Sequence, residues 1–325
     1  MPLLEVDSLA IDYRTSRGTI HAVDDMSFSL GKGETLGLVG ESGSGKSTLG
    51  VSIIRLVPYP GVISRGEINV DGESILGLPE DKMRSIRGKR VAYVFQDPMI
   101  SLDPVKRIGE HFVELIRTHE PNTSKKQAFE RAKTVLKDLG IQSERVNDYP
   151  HQFSGGMRQR IMIGLAIALN PDLVIADEPT TALDVIVQAK ILDLLASLRK
   201  THHMALILIS HDLSIILERC DRIIVMYAGH MVEYTTSTEL YRSPKHPYTQ
   251  KLLQSIPNIE LSDQRLTAIP GSPPNMLDPP RGCPFWPRCS YAMEICPNKK
   301  PPLIDVGSNH LVRCFLYGEV GVRSE

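Results

Sequence analysis

The chain lacks an excess of charge of either sign: 37 lysines and arginines stand against 38 aspartates and glutamates in 325 residues. That balance argues against a protein that wraps nucleic acid by global charge. No apolar run approaches the roughly 20 residues that a bilayer-spanning helix needs. The start, Met1-Pro2-Leu3-Leu4-Glu5, has neither the basic nor the apolar region of a secretory signal. A cytosolic chain is therefore expected, where structural disulfides are uncommon. Cysteine is scarce, and four of the five (Cys283, Cys289, Cys296 and Cys314) crowd into the last 43 residues. What is present is an ordinary globular composition, 42% hydrophobic. The length suits one large domain with an appendage, or two domains.

The most informative stretch is Gly40-Glu41-Ser42-Gly43-Ser44-Gly45-Lys46-Ser47, which matches the phosphate-loop pattern G-x-x-x-x-G-K-[ST] in full. An apolar run, Leu36-Gly37-Leu38-Val39, precedes it and reads as a buried parallel strand. Leu49, Ile53, Leu56 and Val57 follow at helical spacing. Glycines let the backbone curl so that successive amides face phosphate oxygens, and the helix start adds its positive end. Residues Gly40 through Thr48 are the candidate ATP-binding set. Lys46 is placed on the β- and γ-phosphates, and the Ser47 hydroxyl on Mg²⁺.

Other candidates follow in chain order. Residues 3 to 30 alternate in polarity around Ser16-Arg17-Gly18, as in an antiparallel strand layer. Tyr13 lies there, either stacked on adenine or as a half-buried strand tyrosine. Short strands and turns, including Asp71-Gly72, continue over residues 60 to 80. The run Val91-Ala92-Tyr93-Val94-Phe95 is a buried strand ended by Gln96. A polar residue at the carboxyl end of a parallel strand stands where open α/β sheets bind ligands. Gln96 is thus a candidate for Mg²⁺ or the attacking water, against an ordinary strand-end residue. From about 98 to 169 the pattern becomes helical, with Ala128, Ala132, Val135, Leu136 and Leu139 on one stripe. This region ends in Ser154-Gly155-Gly156-Met157-Arg158-Gln159, where Ser154 caps a helix through Ile161, Leu165 and Leu169. Two glycines there bare the amides of a second anion site, or simply open a capped helix.

Leu173-Val174-Ile175-Ala176 is an apolar strand that delivers Asp177 and Glu178. Asp177 is the candidate Mg²⁺ ligand and Glu178 the group that polarises a water. Asp184 precedes an amphipathic helix with Val187, Ile191, Leu194, Leu195 and Leu198 on its face. Ala205-Leu206-Ile207-Leu208-Ile209 is a buried strand ending in Ser210-His211-Asp212. His211 is a candidate to bond the γ-phosphate or hold the water, although a strand-end histidine is often structural. Ile223-Ile224-Val225-Met226 is a further strand, and Cys220 before it reads as a small buried apolar residue.

This ordered set resembles the ATP-binding subunits of ABC transporters over roughly residues 3 to 240. His246-Pro247-Tyr248-Thr249 and Gly282-Cys283-Pro284-Phe285-Trp286-Pro287-Arg288-Cys289 are similar to the ATPases of oligopeptide and dipeptide importers. Met157 departs from the glutamine usual in the signature, as that branch tolerates. The resemblance implies an α/β fold: a P-loop NTPase (RecA-like) core with an antiparallel β subdomain and an inserted α-helical subdomain. It divides the chain into an ATPase domain, 1–240, and an irregular cysteine- and proline-rich extension, 241–325. It implies that Ser154 to Gln159 act on ATP held by a second, usually different, ATPase subunit, with Asp184 in the loop between the two. Partners would be integral membrane permeases and, indirectly, an extracytoplasmic peptide-binding protein. The chain would sit peripherally on the cytoplasmic face of the cell membrane. Import of another solute such as nickel is an alternative, as is a soluble ATPase acting on nucleic acid or ribosomes. The latter usually carry two cassettes or a long coiled coil, and no basic stripe accompanies this site. A redox protein with an incidental nucleotide fold is a third class, and the complete hydrolytic set argues against it.

The extension holds 13 of the 23 prolines between Pro244 and Pro302, which excludes long helices and interior strands. So little core calls for a staple. The spacing Cys283-x5-Cys289-x6-Cys296-x17-Cys314 lacks the C-x₂₋₄-C knuckle of zinc sites. It suits a 4Fe–4S cluster, with Zn²⁺ and free or disulfide-linked thiols as the alternatives.

Overall fold

The computed structural model describes residues 1–97, 101–181, 183–256 and 269–318. The start of the expected helical region at Pro98 lies outside them. In chain order the strands are β1 (Leu4–Thr15), β2 (Gly18–Leu30), β3 (Thr35–Val39), β4 (Gly61–Val70), β5 (Glu73–Ser74), β6 (Val91–Val94), β7 (Leu173–Asp177), β8 (Ala205–Ser210), β9 (Arg222–Tyr227), β10 (His230–Thr236), β11 (Ile304–Asp305) and β12 (Leu311–Val312). The described helices are α1 (Lys46–Ile53), α2 (Glu80–Ile86), α3 (Ile108–His119), α4 (Lys125–Asp138), α5 (Gly155–Ile167), α6 (Val185–His202), α7 (Leu213–Arg219), α8 (Ser237–Arg242) and α9 (Pro247–Gln254). Among the described residues no helix is long and apolar enough to cross a membrane.

The chain forms two compact units, each assembled from separate stretches of sequence. One comprises Met1–Leu4, Leu30–Glu34 and Val70–Ile207; the other comprises Glu5–Ser29, Thr35–Asn69 and Leu208–Glu325. In the first unit β6 and β7 pair in parallel, with Val91 opposite Leu173 and Val94 opposite Ala176. Every residue of β7 is buried, as a strand covered on both faces requires. The helical part follows the expected stripe. α4 buries Ala128, Ala132 and Leu136, and α3 buries Ile108, Phe112, Val113 and Ile116. A complete capping box at Ser124 and Gln127 starts α4.

The second unit carries β1 between β2 and β4, and a separate run ordered β11-β12-β10-β9-β3. β3 is parallel to β9, with Leu36 opposite Arg222 and Val39 opposite Val225. β10 is antiparallel to β9 and bulges between Met231 and Glu233. The proline-rich tail supplies β12, antiparallel to β10, so its strand content is confined to two-residue pieces. Its helix, α9, begins at Pro247, where a missing amide costs nothing. Two apolar runs prove shorter than expected. α1 stops at Ile53, because Arg55 turns left-handed (φ 53°), and Leu56 is left 45% exposed. β6 stops at Val94, and Phe95 is exposed.

Buried polar groups tie the tail to β10. Glu233 is wholly buried and accepts hydrogen bonds from the Lys245 amide (2.7 Å), the His246 amide (2.8 Å) and His310 Nε2 (2.6 Å). His246 is also buried, and its Nδ1 accepts from the Tyr248 amide at 3.1 Å. Burial depresses its pKa to about 4, partly opposed by the Glu233 charge. The unfolded chain therefore binds a proton at His246 that the folded chain refuses. Stability from this group is complete above the unfolded value near 6.5 and is lost as pH falls toward 4. Thermal melts over pH 4 to 7 should show wild type losing about 3 kcal/mol more than a His246→Asn variant. Parallel pH profiles would refute this assignment.

Candidate active site

The expected site residues are distributed over both units, and each set has its own geometry. In the second unit the buried strand β3 runs into the loop at Gly40. Gly45 precedes α1 with φ 99°, and a Cβ there would stand 2.1 Å from the Ala22 carbonyl oxygen. Only glycine fits such a position. Lys46 is 5% exposed, and its Nζ donates to Gly40 O (2.8 Å) and Glu41 O (3.0 Å). The lysine thus pulls the loop's carbonyls toward itself. Ser42 and Gly43 are exposed at the loop's tip, and Ser47 is exposed in the first turn of α1. Thr48 follows it, half-buried. A cavity of about 130 Å³ lies beside the loop, lined by Glu41, Ser44, Tyr227, Pro273, Pro274 and Met276 among others.

Residues that sequence reasoning left without a role hold the loop from the tail. The Glu41 amide donates to the Tyr248 hydroxyl at 2.9 Å. The Glu41 carboxylate takes two bonds from Arg288, at 2.7 and 2.9 Å. Tyr13 is half-buried in β1, and its ring lies close against Gly61. His211 is exposed just beyond β8, and Cys220 is buried against Gly37, as expected for a small apolar residue.

In the first unit the ends of β6 and β7 meet. Gln96 Nε2 donates to Glu178 Oε2 at 3.0 Å, and Thr181 Oγ1 donates to the same oxygen at 2.8 Å. Glu178 has a left-handed backbone (φ 43°), a strained conformation that is concentrated at functional positions. Asp177 is 5% exposed and accepts from the Tyr93 hydroxyl at 2.8 Å. Burial, then the Asp177 charge, pushes the Tyr93 hydroxyl far above the usual tyrosine range, so it stays a donor. The sequence pattern places Tyr93 only within a strand. Its signal was available: a tyrosine in a buried apolar run needs a partner for its hydroxyl.

Ser154 caps α5 as expected, accepting from the Met157 amide at 3.4 Å, and Ser154 and Gly155 are exposed. Arg145 donates to Met157 Sδ at 3.7 Å and lies over the Phe153 ring at 4.0 Å. Arg158 Nε donates to Phe153 O at 2.9 Å. Gln159 is 2% exposed, so its side chain faces the interior, and its Nε2 has no hydrogen-bond partner among the described residues. Asp184 Oδ1 accepts from the Val187 amide and caps α6. The Val187 side chain then packs on Gly156, where a Cβ would lie 2.5 Å from Val187 Cγ1. The Ser154 helix and the Asp184 cap are thereby locked together.

None of the four tail cysteines is in a disulfide. Burial raises Cys283 to about 12 and Cys314 to about 11, and the charges of neighbouring cysteines add to both. They therefore share one neighbourhood. Backbone amides point at the sulfurs: Tyr291 N lies 3.4 Å from Cys289 Sγ, and Met293 N lies 3.4 Å from Cys296 Sγ. Among the described residues, however, no group of three or more His, Cys, Asp or Glu side chains is gathered closely enough to hold a metal ion. The expected four-cysteine metal site is not ready-formed in this geometry.

Known proteins agree with this arrangement. The ABC transporter family matches residues 23–181, and the oligopeptide/dipeptide transporter C-terminal region matches residues 232–296. The oligopeptide transport ATP-binding protein OppD of Bacillus subtilis is 47% identical over 97% of this chain and 88% of its own length. OppD of Escherichia coli is 44% identical over 96% and 93%, and the dipeptide transport protein DppD of Haemophilus influenzae 45% over 97% and 95%. Among solved structures, the dimeric ATP-binding cassette MJ0796 with ADP and Pi superposes with a TM-score of 0.64 at 27% identity, over 72% of this chain and 98% of its own. The chain belongs to the ABC transporter ATP-binding proteins, in their oligopeptide and dipeptide transport branch.

Gly156→Ala should destabilise the first unit by about 1–3 kcal/mol through the clash with Val187. Val187→Ala in the same chain should restore most of that loss. Chemical denaturation checks both, and an unchanged midpoint for the single variant would remove the close contact.

Proposed function

We propose that this chain hydrolyses ATP to drive peptide import through membrane permeases. The observation that carries the reading is the buried Lys46 inside a complete phosphate loop, in a chain whose Asp177-Glu178 pair is dressed by Tyr93, Gln96 and Thr181. The ATPase domain is assigned to residues 1–240 and the extension to 241–325. The loop from Gly40 to Thr48 cradles the triphosphate, and Tyr13 takes the adenine side. Lys46 exchanges its loop carbonyls for the β- and γ-phosphates.

Ser47, Gln96 and Asp177 supply a hydroxyl, an amide oxygen and a carboxylate, hard donors that fit Mg²⁺. Because Gln96 Nε2 is engaged by Glu178, its carbonyl oxygen is the atom left for a cation. Bound Mg²⁺ offsets charge on the phosphoryl oxygens. Glu178 takes a proton from the attacking water, and His211 holds that water in line. Ser154 to Arg158 face the nucleotide of a second ATPase subunit, and Gln159 supports them from inside. The relatives named for oligopeptide and dipeptide transport support peptides as the cargo; a different ATPase as partner and a peripheral place on the cytoplasmic face are part of the same proposal. An extracytoplasmic binding protein would deliver the peptide. The near-zero net charge speaks against nucleic acid.

Glu178→Gln should keep ATP affinity, lower the hydrolysis rate by about 100-fold or more, and accumulate an ATP-bound dimer on size exclusion. Hydrolysis at the wild-type rate would show that Glu178 is not the base.

For the tail we propose a 4Fe–4S cluster at Cys283, Cys289, Cys296 and Cys314, with Zn²⁺ as the alternative. A cubic cluster spaces its thiolates wider than a single ion does, which suits four neighbouring but ungathered sulfurs. Amides aimed at sulfur suit thiolates as well. Anaerobically purified protein should contain iron and acid-labile sulfide; stoichiometric zinc without iron would replace the cluster by a zinc site.

A further inference from the structure

The strongest feature outside the described chemistry is the way the tail grips Glu41. Glu41 is the second residue of the phosphate loop, and its carboxylate is a negative charge on a loop whose amides must receive a polyanion. Such a charge repels the incoming phosphates unless it is cancelled. Arg288 meets it with both terminal nitrogens, Nη1 to Oε2 at 2.7 Å and Nη2 to Oε1 at 2.9 Å. This is the two-pronged geometry that makes arginine a specific carboxylate partner. The Arg288 and Glu41 side chains are 5% and 25% exposed, so solvent and salt screen the pair weakly.

Arg288 is itself fixed on every side. Nη1 also donates to the Tyr227 hydroxyl (3.1 Å), Nε to Pro270 O (2.9 Å) and Nη2 to Ile269 O (3.3 Å). Its carbonyl accepts from Lys251 Nζ at 2.8 Å. It closes a single turn, Trp286–Arg288, between Cys283 and Cys289. A second tail residue acts on the same loop position, because the Tyr248 hydroxyl accepts from the Glu41 amide. The partnership is consistent with the Arg288 guanidinium being held charged, chiefly by its bonds to Glu41.

We propose that Arg288 is a positioning residue for the nucleotide reaction: it cancels the Glu41 charge and fixes the loop, so that the carboxyl-terminal extension sets the affinity of the phosphate loop for ATP. The proposal rests on the reading that this loop binds ATP. Its test is the KM for ATP, and the binding of a fluorescent ATP analogue, in the full chain. Arg288→Ala should raise KM about five- to tenfold with kcat within about twofold. Glu41→Gln added to Arg288→Ala should recover most of that affinity, since no charge is left to cancel. Arg313→Ala cuts a different tail tether, to Met231 O and Asp25, and should leave KM at the wild-type value. If Arg288→Ala gives no cooperative melt, Arg288→Lys serves instead, with an expected rise of about two- to threefold because one prong is lost. A wild-type KM in the folded Arg288 variant overturns the proposal. So does failure of Glu41→Gln to recover affinity, or an equal KM rise in Arg313→Ala. Failure of wild type to bind the analogue at all would instead remove the ATP reading itself.

Discussion

Burying the Lys46 ammonium is the constraint on which the phosphate loop depends. A cation out of water must be surrounded by oxygens or it unfolds its surroundings. Here its partners include the carbonyls of Gly40 and Glu41, only a few residues back along the chain. Turning those carbonyls inward toward the lysine fixes the curl of the loop. The left-handed Gly45 and its contact with the Ala22 carbonyl are what let so tight a curl join β3 to α1. The same positive charge that stabilises the ligand-free loop is the one a triphosphate would compete for.

The carboxylate strand shows a related economy of arrangement. Parallel pairing of β6 with β7 places Tyr93 in register with Ile175, and Asp177, two residues on, shares that face. The tyrosine hydroxyl therefore reaches Asp177, while Gln96 and Thr181 converge on Glu178. One carboxylate is buried and accepts from the Tyr93 hydroxyl; the other is half-buried, has a left-handed backbone and accepts from Gln96 and Thr181. Different surroundings for adjacent acids are what two different tasks require.

Much of this was legible in sequence, for physical reasons. Runs such as Leu173 to Ala176 and Ile223 to Met226 are strands on both readings, because a short apolar run between turns has few other uses. The cap at Ser154 is legible because capping is local. The early end of α1 was not, since Leu56 and Val57 continue the apolar spacing past the left-handed Arg55. Nor was the bond from Arg288 to Glu41, which joins positions 247 apart and leaves no periodicity in the chain. The cysteine spacing pointed to a shared neighbourhood but could not fix how closely the sulfurs approach. The tail also compensates for its small core in ways composition hides. The rings of Tyr227, Tyr248 and Phe285 pack tilted and edge-on, with centroids 4.7 to 5.4 Å apart, and Glu233 gathers three donors from two tail segments.

The interleaving of the chain has a consequence for biosynthesis. β3 pairs in parallel with β9, and the Thr35 amide bonds a carboxylate 186 residues further on. A ribosome that has translated the nucleotide loop has not yet made the strand that supports it, nor the tail tyrosine and arginine that grip it. The emerging amino-terminal third must therefore wait with an open, apolar strand edge, a species that invites chaperones and aggregation. The tail's grip on the loop forms only near the end of translation, so a product truncated before Tyr248 would carry the phosphate loop without either contact.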